Sequence, residues 1–146
     1  MADIRISEFC AEHIPSAARI EKENFSEPWS EESLVLLTKP DYPSFAICEG
    51  EELVAYIGAS KALDELQILT VAVDKRARRK GYGRAILNAL DSYAKECGIS
   101  LISLEVRESN APAIALYEAC GYSKAGVRKN FYRFPTESAL VMIKNF

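Results

Sequence analysis

The sequence predicts an α/β fold in which a mixed sheet carries helices on both faces. Three strand-like segments follow one another between Ser44 and Val73 with no helix between them, a pattern typical of antiparallel pairing. Further along, helical patterns alternate with strands, as they do in crossovers between parallel strands. The complete predicted order is β-α-α-β-β-β-α-β-α-β-β, which combines both kinds of pairing in one sheet.

The first third of the chain predicts one strand and two helices. Asp3–Ser7 alternates polar and apolar residues and suits a short strand. Between His13 and Asn24, apolar residues recur at helical spacing. Ser30 is a predicted N-cap, because two glutamates follow it and acids favour the positive end of a helix. This second helix is expected to end before Pro40.

The middle of the chain predicts a β-hairpin, a third strand and a long helix. Ser44–Glu49 and Leu53–Ser60 are strands joined by a turn that contains Gly50. Glu65–Val73 is a longer strand rich in Leu, Ile and Val. After a basic turn, an amphipathic helix continues to Gly98, which is a typical C-terminal stop.

The last third predicts a strand, a helix and two further strands. Ser100–Arg107 is a strand. Asn110 can cap a helix that continues through Cys120, with a proline tolerated in its first turn. The two strand-like pieces of the tail lie around Phe131–Arg133 and Ala139–Ile143.

The composition predicts a single domain over residues 1–146, since no linker, repeat or low-complexity segment divides the chain. A net charge of −3 argues against general nucleic-acid binding, and no apolar run is long enough to cross a membrane. With one histidine, His13, we expect no metal site built on imidazoles. Four widely spaced cysteines and an N-terminus unlike a secretory signal predict free thiols and a cytoplasmic location.

The basic turn Arg78–Arg84 joins a predicted buried strand to an amphipathic helix. A helix N-terminus offers unpaired N–H groups and partial positive charge, while Gly81 and Gly83 allow close approach of a ligand. Such a turn can bind a pyrophosphate. Taken alone the pattern is weak, and a solvated basic turn or a nucleic-acid patch remains an alternative.

Longer motifs around this turn identify a family. The RxxGxG pattern of Arg78–Gly83 resembles the pyrophosphate signature of the GNAT acetyltransferase superfamily, and the strand before it resembles that family's central strand. Within the superfamily, the chain is similar to the ribosomal-protein alanine N-acetyltransferases, the RimI branch. The segments that carry the resemblance, which spans about residues 20 to 143, are Pro28–Ser30, Glu65–Val73, Leu104–Arg107, Ser109–Asn110, Ala115–Tyr117, Gly121–Tyr122, Arg128–Tyr132 and Ala139–Met142.

Two positions depart from the pattern of the branch. Ser138 stands where an acidic residue is usual, and Phe131-Tyr132 replaces a pair of tyrosines. Both departures lie in the part of the family motif that faces the acceptor. They therefore bear on the identity of the acceptor more than on the chemistry.

The resemblance implies a GNAT fold with splayed central parallel strands and a site for acetyl-coenzyme A. The pantetheine arm is expected in the splay, against the backbone of the segment that contains Val71, Ala72 and Val73. The pyrophosphate is expected on the basic turn, and Asn110 is expected to contact the coenzyme as well as cap its helix. The residues of the turn assigned to the coenzyme are Arg78, Arg79, Lys80, Gly81, Tyr82, Gly83 and Arg84.

Two residues are the candidate catalytic groups. Glu105 is the candidate general base, acting through a water molecule, although a carboxylate paired with a neighbour such as Arg107 is the alternative. Tyr117 is the candidate acid for the departing thiolate, and a purely structural core tyrosine is the alternative. The resemblance favours the catalytic interpretation for both residues.

The resulting hypothesis is an acetyl-CoA-dependent N-acetyltransferase that acts on the N-terminal amine of a protein, such as a ribosomal protein. Alternatives are an acetyltransferase for lysine or for a small-molecule amine, and a non-catalytic acyl-CoA sensor. Direct binding of nucleic acid or membrane is not expected. Acids on the first two helices could attract a basic peptide or form a solvated face; they are Glu21, Glu23, Glu27, Glu31 and Glu32.

Overall fold

The computed structural model describes residues 3–146, and the order of its elements confirms the predicted order. The helices are α1 (Ile14–Asn24), α2 (Glu31–Leu34), α3 (Tyr82–Glu96) and α4 (Ala111–Ala119). The strands are β1 (Ile4–Glu8), β2 (Phe45–Glu49), β3 (Glu52–Ala62), β4 (Glu65–Val73), β5 (Leu101–Arg107), β6 (Ser123–Tyr132) and β7 (Glu137–Asn145). Short 3-10 turns cover Ala11–His13, Val35–Thr38 and Lys75–Ala77.

The strands of the described residues form one mixed sheet in the order β1-β2-β3-β4-β5-β7-β6. β4 and β5 run parallel, whereas the other neighbours run antiparallel. α3 links β4 to β5 and provides the crossover that a parallel pair requires. The prediction of a mixed, mostly antiparallel sheet is therefore confirmed.

Helices cover both faces of this sheet, as predicted, and each face has its own core. On one face, α3 and α4 pack against the sheet, and Leu90 and Leu104 belong to that buried cluster. On the other face, Ile20 of α1 and Leu34 of α2 share a cluster with Tyr56 of β3. Full burial of a side chain of this size stabilises the fold by about 1.5–3 kcal/mol.

The second helix is shorter and less regular than the sequence predicts. The Ser30 hydroxyl accepts a hydrogen bond from the N–H of Ser33 at 3.1 Å, so the predicted N-cap is confirmed. The α-helix ends at Leu34, and a 3-10 turn continues to Thr38. In this turn Leu37 is buried, whereas Val35 and Leu36 remain exposed. A single buried side chain does not enforce the continuous apolar face of a longer helix.

The predicted strand around Phe131–Arg133 has the wrong limits. The strand β6 begins at Ser123 and ends at Tyr132, and Arg133 already lies in the turn to β7. β6 is an edge strand with both faces largely exposed. It therefore lacks the apolar alternation that marks a half-buried strand in a sequence.

The four cysteines are free thiols, as predicted. None of the helices found in residues 3–146 is both long enough and apolar enough to cross a membrane.

Candidate active site

A gap between β4 and β5 is the central feature of the site. The parallel pairing covers three residue pairs and ends where Gln67 lies opposite Ser103. Beyond this point β4 continues to Val73 and β5 to Arg107 as the strands separate. A bulge contributes to the separation, because Leu69 is an extra residue in β4 between successive partners in β3. The predicted splay of the central strands is present.

Backbone groups of β4 face this gap. The N–H of Asp74 donates to the carbonyl of Val54 at 2.8 Å, so Asp74 points its polar groups toward β3. Because these directions alternate along an antiparallel pair, Val71 and Val73 direct their N–H and C=O groups away from β3 and into the gap. Ala72 lies between them; it turns its polar groups toward β3, and its methyl group is buried under α1. The geometry thus offers Val71 and Val73, more than Ala72, to a ligand in the gap.

The basic turn brings unpaired N–H groups to one end of the gap. Arg79 and Gly81 both adopt left-handed backbone conformations, with φ of 65° and 82°. Turns of this kind form concave anion sites. The first helical hydrogen bond of α3 runs from Ala85 N to Gly81 O at 3.0 Å, so the N–H groups of Tyr82, Gly83 and Arg84 have no acceptor within the helix. These features suit an anion such as a pyrophosphate.

Several side chains of the turn are bonded to neighbouring elements. Arg78 donates to the side-chain oxygen of Asn24, the last residue of α1. Lys80 and Tyr82 both donate to Glu49 at the end of β2, at 3.3 and 2.5 Å. These bonds lower the pKa of Glu49, with the Tyr82 hydroxyl as the larger cause and Lys80 as the second. The bond from Arg78 thus holds the turn against α1, and the bonds from Lys80 and Tyr82 hold it against β2.

Two further residues place α4 beside the turn. A Cβ atom on Gly83 would come within 2.9 Å of Leu116 Cδ2, so the glycine allows α4 to approach closely. The Asn110 side chain accepts a hydrogen bond from Ala113 N at 3.3 Å, which confirms its predicted role as N-cap of α4. α4 also carries Tyr117, so the same packing positions the candidate acid.

Asp74 anchors the chain between β4 and the turn. Its carboxylate is 2% exposed and accepts bonds from the Arg76 backbone at 3.0 Å and from Arg19 of α1 at 3.0 Å. Burial by itself would raise the pKa of Asp74, but the bonds from Arg76 and Arg19 outweigh it and lower the pKa to about 2. Asp74 thereby links α1 to the segment that leads into the basic turn.

Glu105 lies on β5 just beyond the end of the parallel pairing. Its carboxylate accepts a hydrogen bond from the Gln67 amide at 2.8 Å and forms an ion pair with Arg128 of β6 at 3.2 Å. Leu104 and Val106 point into the core under α3 and α4, so Glu105 faces the opposite side, toward α1. The expected alternative partner, Arg107, is bonded to other groups in this structure.

Tyr117 lies on the other face of the sheet from Glu105. It belongs to the core under α3 and α4, is 8% exposed and meets Tyr122 edge to face at 6.0 Å between ring centroids. Burial, and to a smaller degree the charge of Tyr132, raises the pKa of Tyr117 above its ordinary value. The phenol therefore keeps its proton at neutral pH, as a general acid must.

Tyr132 at the end of β6 is a further tyrosine close to the candidate catalytic groups, and local sequence patterns do not assign it to the site. Burial raises the pKa of Tyr132 to about 12, with the charge of Glu105 as the second cause. Tyr132 in turn acts on Tyr117. The sequence signal for Tyr132 is its place in the family motif Arg128–Tyr132.

The strand β6 contains an irregular stretch opposite Ser138 of β7. Between Arg128 and Tyr132, the three residues Lys129–Phe131 stand opposite the single residue Ser138 of β7. The Ser138 hydroxyl accepts a hydrogen bond from Asn130 N at 3.3 Å, and Asn130 adopts a left-handed conformation with φ of 53°. Ser138, where the branch usually has an acid, therefore supports the irregular stretch in this chain.

Glu21 has a different role from the one expected. It is 1% exposed, so the prediction that it belongs to an acidic surface is wrong. Its carboxylate accepts hydrogen bonds from the hydroxyls of Tyr56 and Thr70, both at 2.5 Å, and from Trp29 N at 3.0 Å. Thr70 follows the bulge in β4. Glu21 thus fixes the loop before α2 against the strand that borders the gap.

Two of the other acids on and after α1, Glu23 and Glu27, take part in ion pairs. Glu23 pairs with Arg19 one turn earlier in α1, and Glu27 pairs with Arg133 at 3.7 Å. Beside them, a groove of about 680 Å³ runs along α2, and its lining includes Trp29 and Glu32. Trp29 is thus partly buried at the rim of a groove on the Glu105 side of the sheet.

A group of possible metal ligands lies away from the gap. Cys10, Glu12 and His13 bring one ligand atom each within 4.8 Å of one another. The His13 Nδ1 atom, however, accepts a hydrogen bond from the Cys10 backbone at 3.0 Å and so serves as a cap.

Comparisons with known proteins agree with the geometry of the gap and the turn. Residues 14–122 match the acetyltransferase (GNAT) family. The chain is 36% identical over 133 residues to the [ribosomal protein bS18]-alanine N-acetyltransferase of Escherichia coli (strain K12), covering 88% of each chain. It is 35% identical over 133 residues to the protein of that name from Salmonella typhimurium, again covering 88% of each.

Solved structures are similar over almost the whole chain. The crystal structure of the ribosomal-protein-S18-alanine N-acetyltransferase from Escherichia coli superposes with a TM-score of 0.92 at 33% identity, covering 98% of this chain and 94% of that one. Ard1 from Thermoplasma volcanium superposes with a TM-score of 0.90 at 28% identity, covering 97% of each chain. The splayed sheet, the basic turn and these similarities together show that the chain belongs to the GNAT family and is an acetyl-CoA-dependent N-acetyltransferase.

Proposed function

We propose that this enzyme acetylates the N-terminal amine of a protein, with an N-terminal alanine of a ribosomal protein such as bS18 as the acceptor and the cytoplasm as its location. The observation that carries the proposal is the placement of Glu105 and Tyr117 on opposite faces of the sheet that contains the β4–β5 gap. This leaves one face for the acceptor amine and the other for the departing thiol. The relatives named above act on the alanine of bS18, which supports the choice of acceptor.

The coenzyme is proposed to lie along the gap. The backbone of Val71 and Val73 would pair with the pantetheine arm as an added strand would. The N–H groups at the start of α3 would bind the pyrophosphate, and Arg79 and Arg84 are exposed beside them. Acetyl-CoA supplies the activated acetyl group as a thioester.

Glu105 is proposed to remove the proton from the acceptor through a water molecule. A protein α-amine has an ordinary pKa of about 7.7–8.0 and a lysine of about 10.4, so roughly a tenth of α-amines are already neutral at pH 7. Acetylation of an α-amine therefore depends less on a strong general base than acetylation of a lysine does. Gln67 and Arg128 hold the carboxylate in place at the gap.

Tyr117 is proposed to give its proton to the departing thiolate. The transfer is uphill by about 2 kcal/mol between an ordinary phenol and an ordinary thiol, and the raised pKa of Tyr117 adds to this cost. Hydrogen bonding to the departing thiolate in the complex must offset both. Burial keeps the phenol protonated. The two residues thus divide the proton transfers of a direct attack within a ternary complex.

A thiol-release assay with acetyl-CoA tests the proposal. One peptide begins with Ala-Arg, and its matched partner has a blocked N-terminus and an internal lysine. We expect turnover with the free α-amine and none with the blocked peptide. Turnover confined to lysine, to polyamines or to aminoglycosides would replace the proposed acceptor with the alternative class. Coenzyme binding without turnover on any of these amines would indicate an acyl-CoA sensor.

A further inference from the structure

Two loops meet at the outer end of β5, on the side of the sheet that Glu105 faces. One loop is residues 25–30, between α1 and α2, and the other is residues 133–136, between β6 and β7. We call this pair of loops the acceptor entrance. α3 and α4 cover the opposite face of the sheet, so an acceptor can approach Glu105 from the α1 side, past these loops.

Arg107 at the end of β5 bonds to both loops of the acceptor entrance. Its Nη2 donates to Ser26 Oγ at 2.9 Å and to the carbonyl of Arg133 at 2.7 Å. Its Nη1 donates to the carbonyl of Pro135 at 2.9 Å and to Glu137 at 3.2 Å. One guanidinium thus joins a loop 81 residues before it in sequence to a turn 26–28 residues after it.

The two loops also touch each other directly. The Ser26 hydroxyl donates to the Arg133 carbonyl at 3.2 Å, and the Arg133 N–H donates to Glu27 Oε1 at 2.9 Å. The Arg133 carbonyl therefore receives two donors, and one of them, Ser26, is itself held by Arg107. Loss of Arg107 would leave the contact between the loops dependent on exposed side chains.

Arg107 lies close to Glu105, the candidate base, on the same strand. Residues two apart in a strand project from the same face about 6.5 Å apart, so Arg107 stands next to Glu105 on the side of the acceptor. Its guanidinium also covers the Tyr132 ring at 4.6 Å from the centroid. Both terminal nitrogens of the guanidinium are thus engaged within the protein, with two acceptors each.

We propose that Arg107 is a positioning residue that holds the two loops of the acceptor entrance together and thereby sets the affinity for the acceptor peptide. This inference rests on the proposed function, since it concerns the same site. Arginine is needed because its planar fork directs bonds to four separate acceptors. Lysine carries the same charge but has three donors on a single nitrogen and cannot reproduce the fork.

The test compares Arg107→Lys and Arg107→Met with the wild-type protein. Steady-state kinetics use the acceptor that the wild-type protein accepts in the assay above, and calorimetry gives the Kd for coenzyme A. We expect the KM for the acceptor to rise about tenfold or more in both variants, since small displacements of positioning groups cost factors of this order. The kcat should change by less than the KM, and the coenzyme Kd should stay unchanged.

Amide hydrogen exchange provides a readout that needs no acceptor. Residues 25–30 and 133–136 should exchange faster together in both variants, whereas the buried strand β3 should not change. Ser26→Ala removes one of the four bonds and should give a smaller effect in the same direction. Arg5→Met is the matched control, because Arg5 also donates to a backbone carbonyl, that of Gly50 at 3.0 Å, far from the entrance.

Unchanged acceptor KM in both Arg107 variants would overturn the proposal, and so would faster exchange in one loop without the other. A parallel loss of coenzyme affinity would also overturn it, because that result indicates general structural damage. If Arg107→Met does not fold, Arg107→Lys decides the question. Failure of the N-terminal acceptor in the wild-type assay would remove the proposed function alone, since the exchange experiment and the alternative acceptor still test Arg107.

Discussion

The side-chain amide of Gln67 donates a hydrogen bond of 2.8 Å to the Glu105 carboxylate. Gln67 is the last residue of β4 that pairs with β5, and Glu105 lies two residues beyond its partner Ser103. The bond therefore crosses between the strands at the point where they begin to separate. The strand β4, which forms one wall of the gap, therefore also orients the candidate base at the edge of the gap.

Replacement of Glu105 by glutamine should lower kcat about a hundredfold or more at neutral pH, a typical contribution of a positioned general base. The amide keeps the size of the side chain but removes the charge that pairs with Arg128. Affinity for coenzyme A should not change. Steady-state kinetics and calorimetry measure the two quantities, and Glu23→Gln, an exposed acid of α1, is the control. Wild-type turnover across the pH range would rule out Glu105 as the base.

Replacement of Tyr117 by phenylalanine should lower kcat about a hundredfold or more, as expected for loss of a positioned general acid. The fold should be kept, because the ring still packs on Tyr122. The pH dependence gives a second test. Burial raises the pKa of Tyr117, so the folded protein keeps this phenol protonated above pH 10, where an ordinary tyrosine ionises. We therefore expect no fall in wild-type kcat from ionisation of Tyr117 as the pH rises through 10. Tyr93→Phe, on α3, is the control, and an equal loss of kcat in it would remove the assignment.

Valine at Gly81 and at Gly83 should have different effects. Gly81 has open space around it but a φ of 82°, so Gly81→Val strains the turn and should weaken coenzyme binding with little change in kcat at saturation. Gly83→Val pushes on Leu116 of α4 and should reduce both coenzyme affinity and kcat. Gly98→Val is the control, since Gly98 has a φ of 68° in open space at the other end of α3. Equal coenzyme affinity in Gly81→Val and wild type would contradict the assignment of the turn.

The carboxylate of Asp74 should stabilise the fold in a pH-dependent way. Its pKa is about 2 in the folded protein, below the ordinary value of 3.8. Because the folded pKa is lowered, its contribution to stability is present above pH 4 and is lost as the pH falls through 2. Chemical unfolding of wild type and Asp74→Asn between pH 2 and 6 measures this contribution.

The difference in unfolding free energy between these two proteins should shrink steadily below pH 4. Asp64→Asn, at an exposed aspartate, is the control. A difference that does not vary with pH would show that the ion pairs of Asp74 with Arg19 and Arg76 contribute no proton-linked stability.

The sequence predicted the elements that carry a strong local pattern. Ser30 and Asn110 cap their helices as expected, because a short polar side chain before a helix bonds to its first N–H groups whatever the surroundings. The limits of β6 were wrong, because its residues have no buried face to impose alternation. The acidic surface expected at Glu21 was wrong as well, because two hydroxyl donors from β3 and β4 allow that carboxylate to be buried.

The sequence by itself determined the order of the elements, the class of fold and, through long motifs, the family. These depend on the periodicity of apolar residues and on glycines and caps at fixed spacing, which act over short stretches of chain. The tertiary structure alone decided which face of the sheet each group occupies. Glu105 meets Gln67 and Arg128, and Arg107 joins two distant loops, through contacts 23 to 81 residues apart that no local pattern encodes.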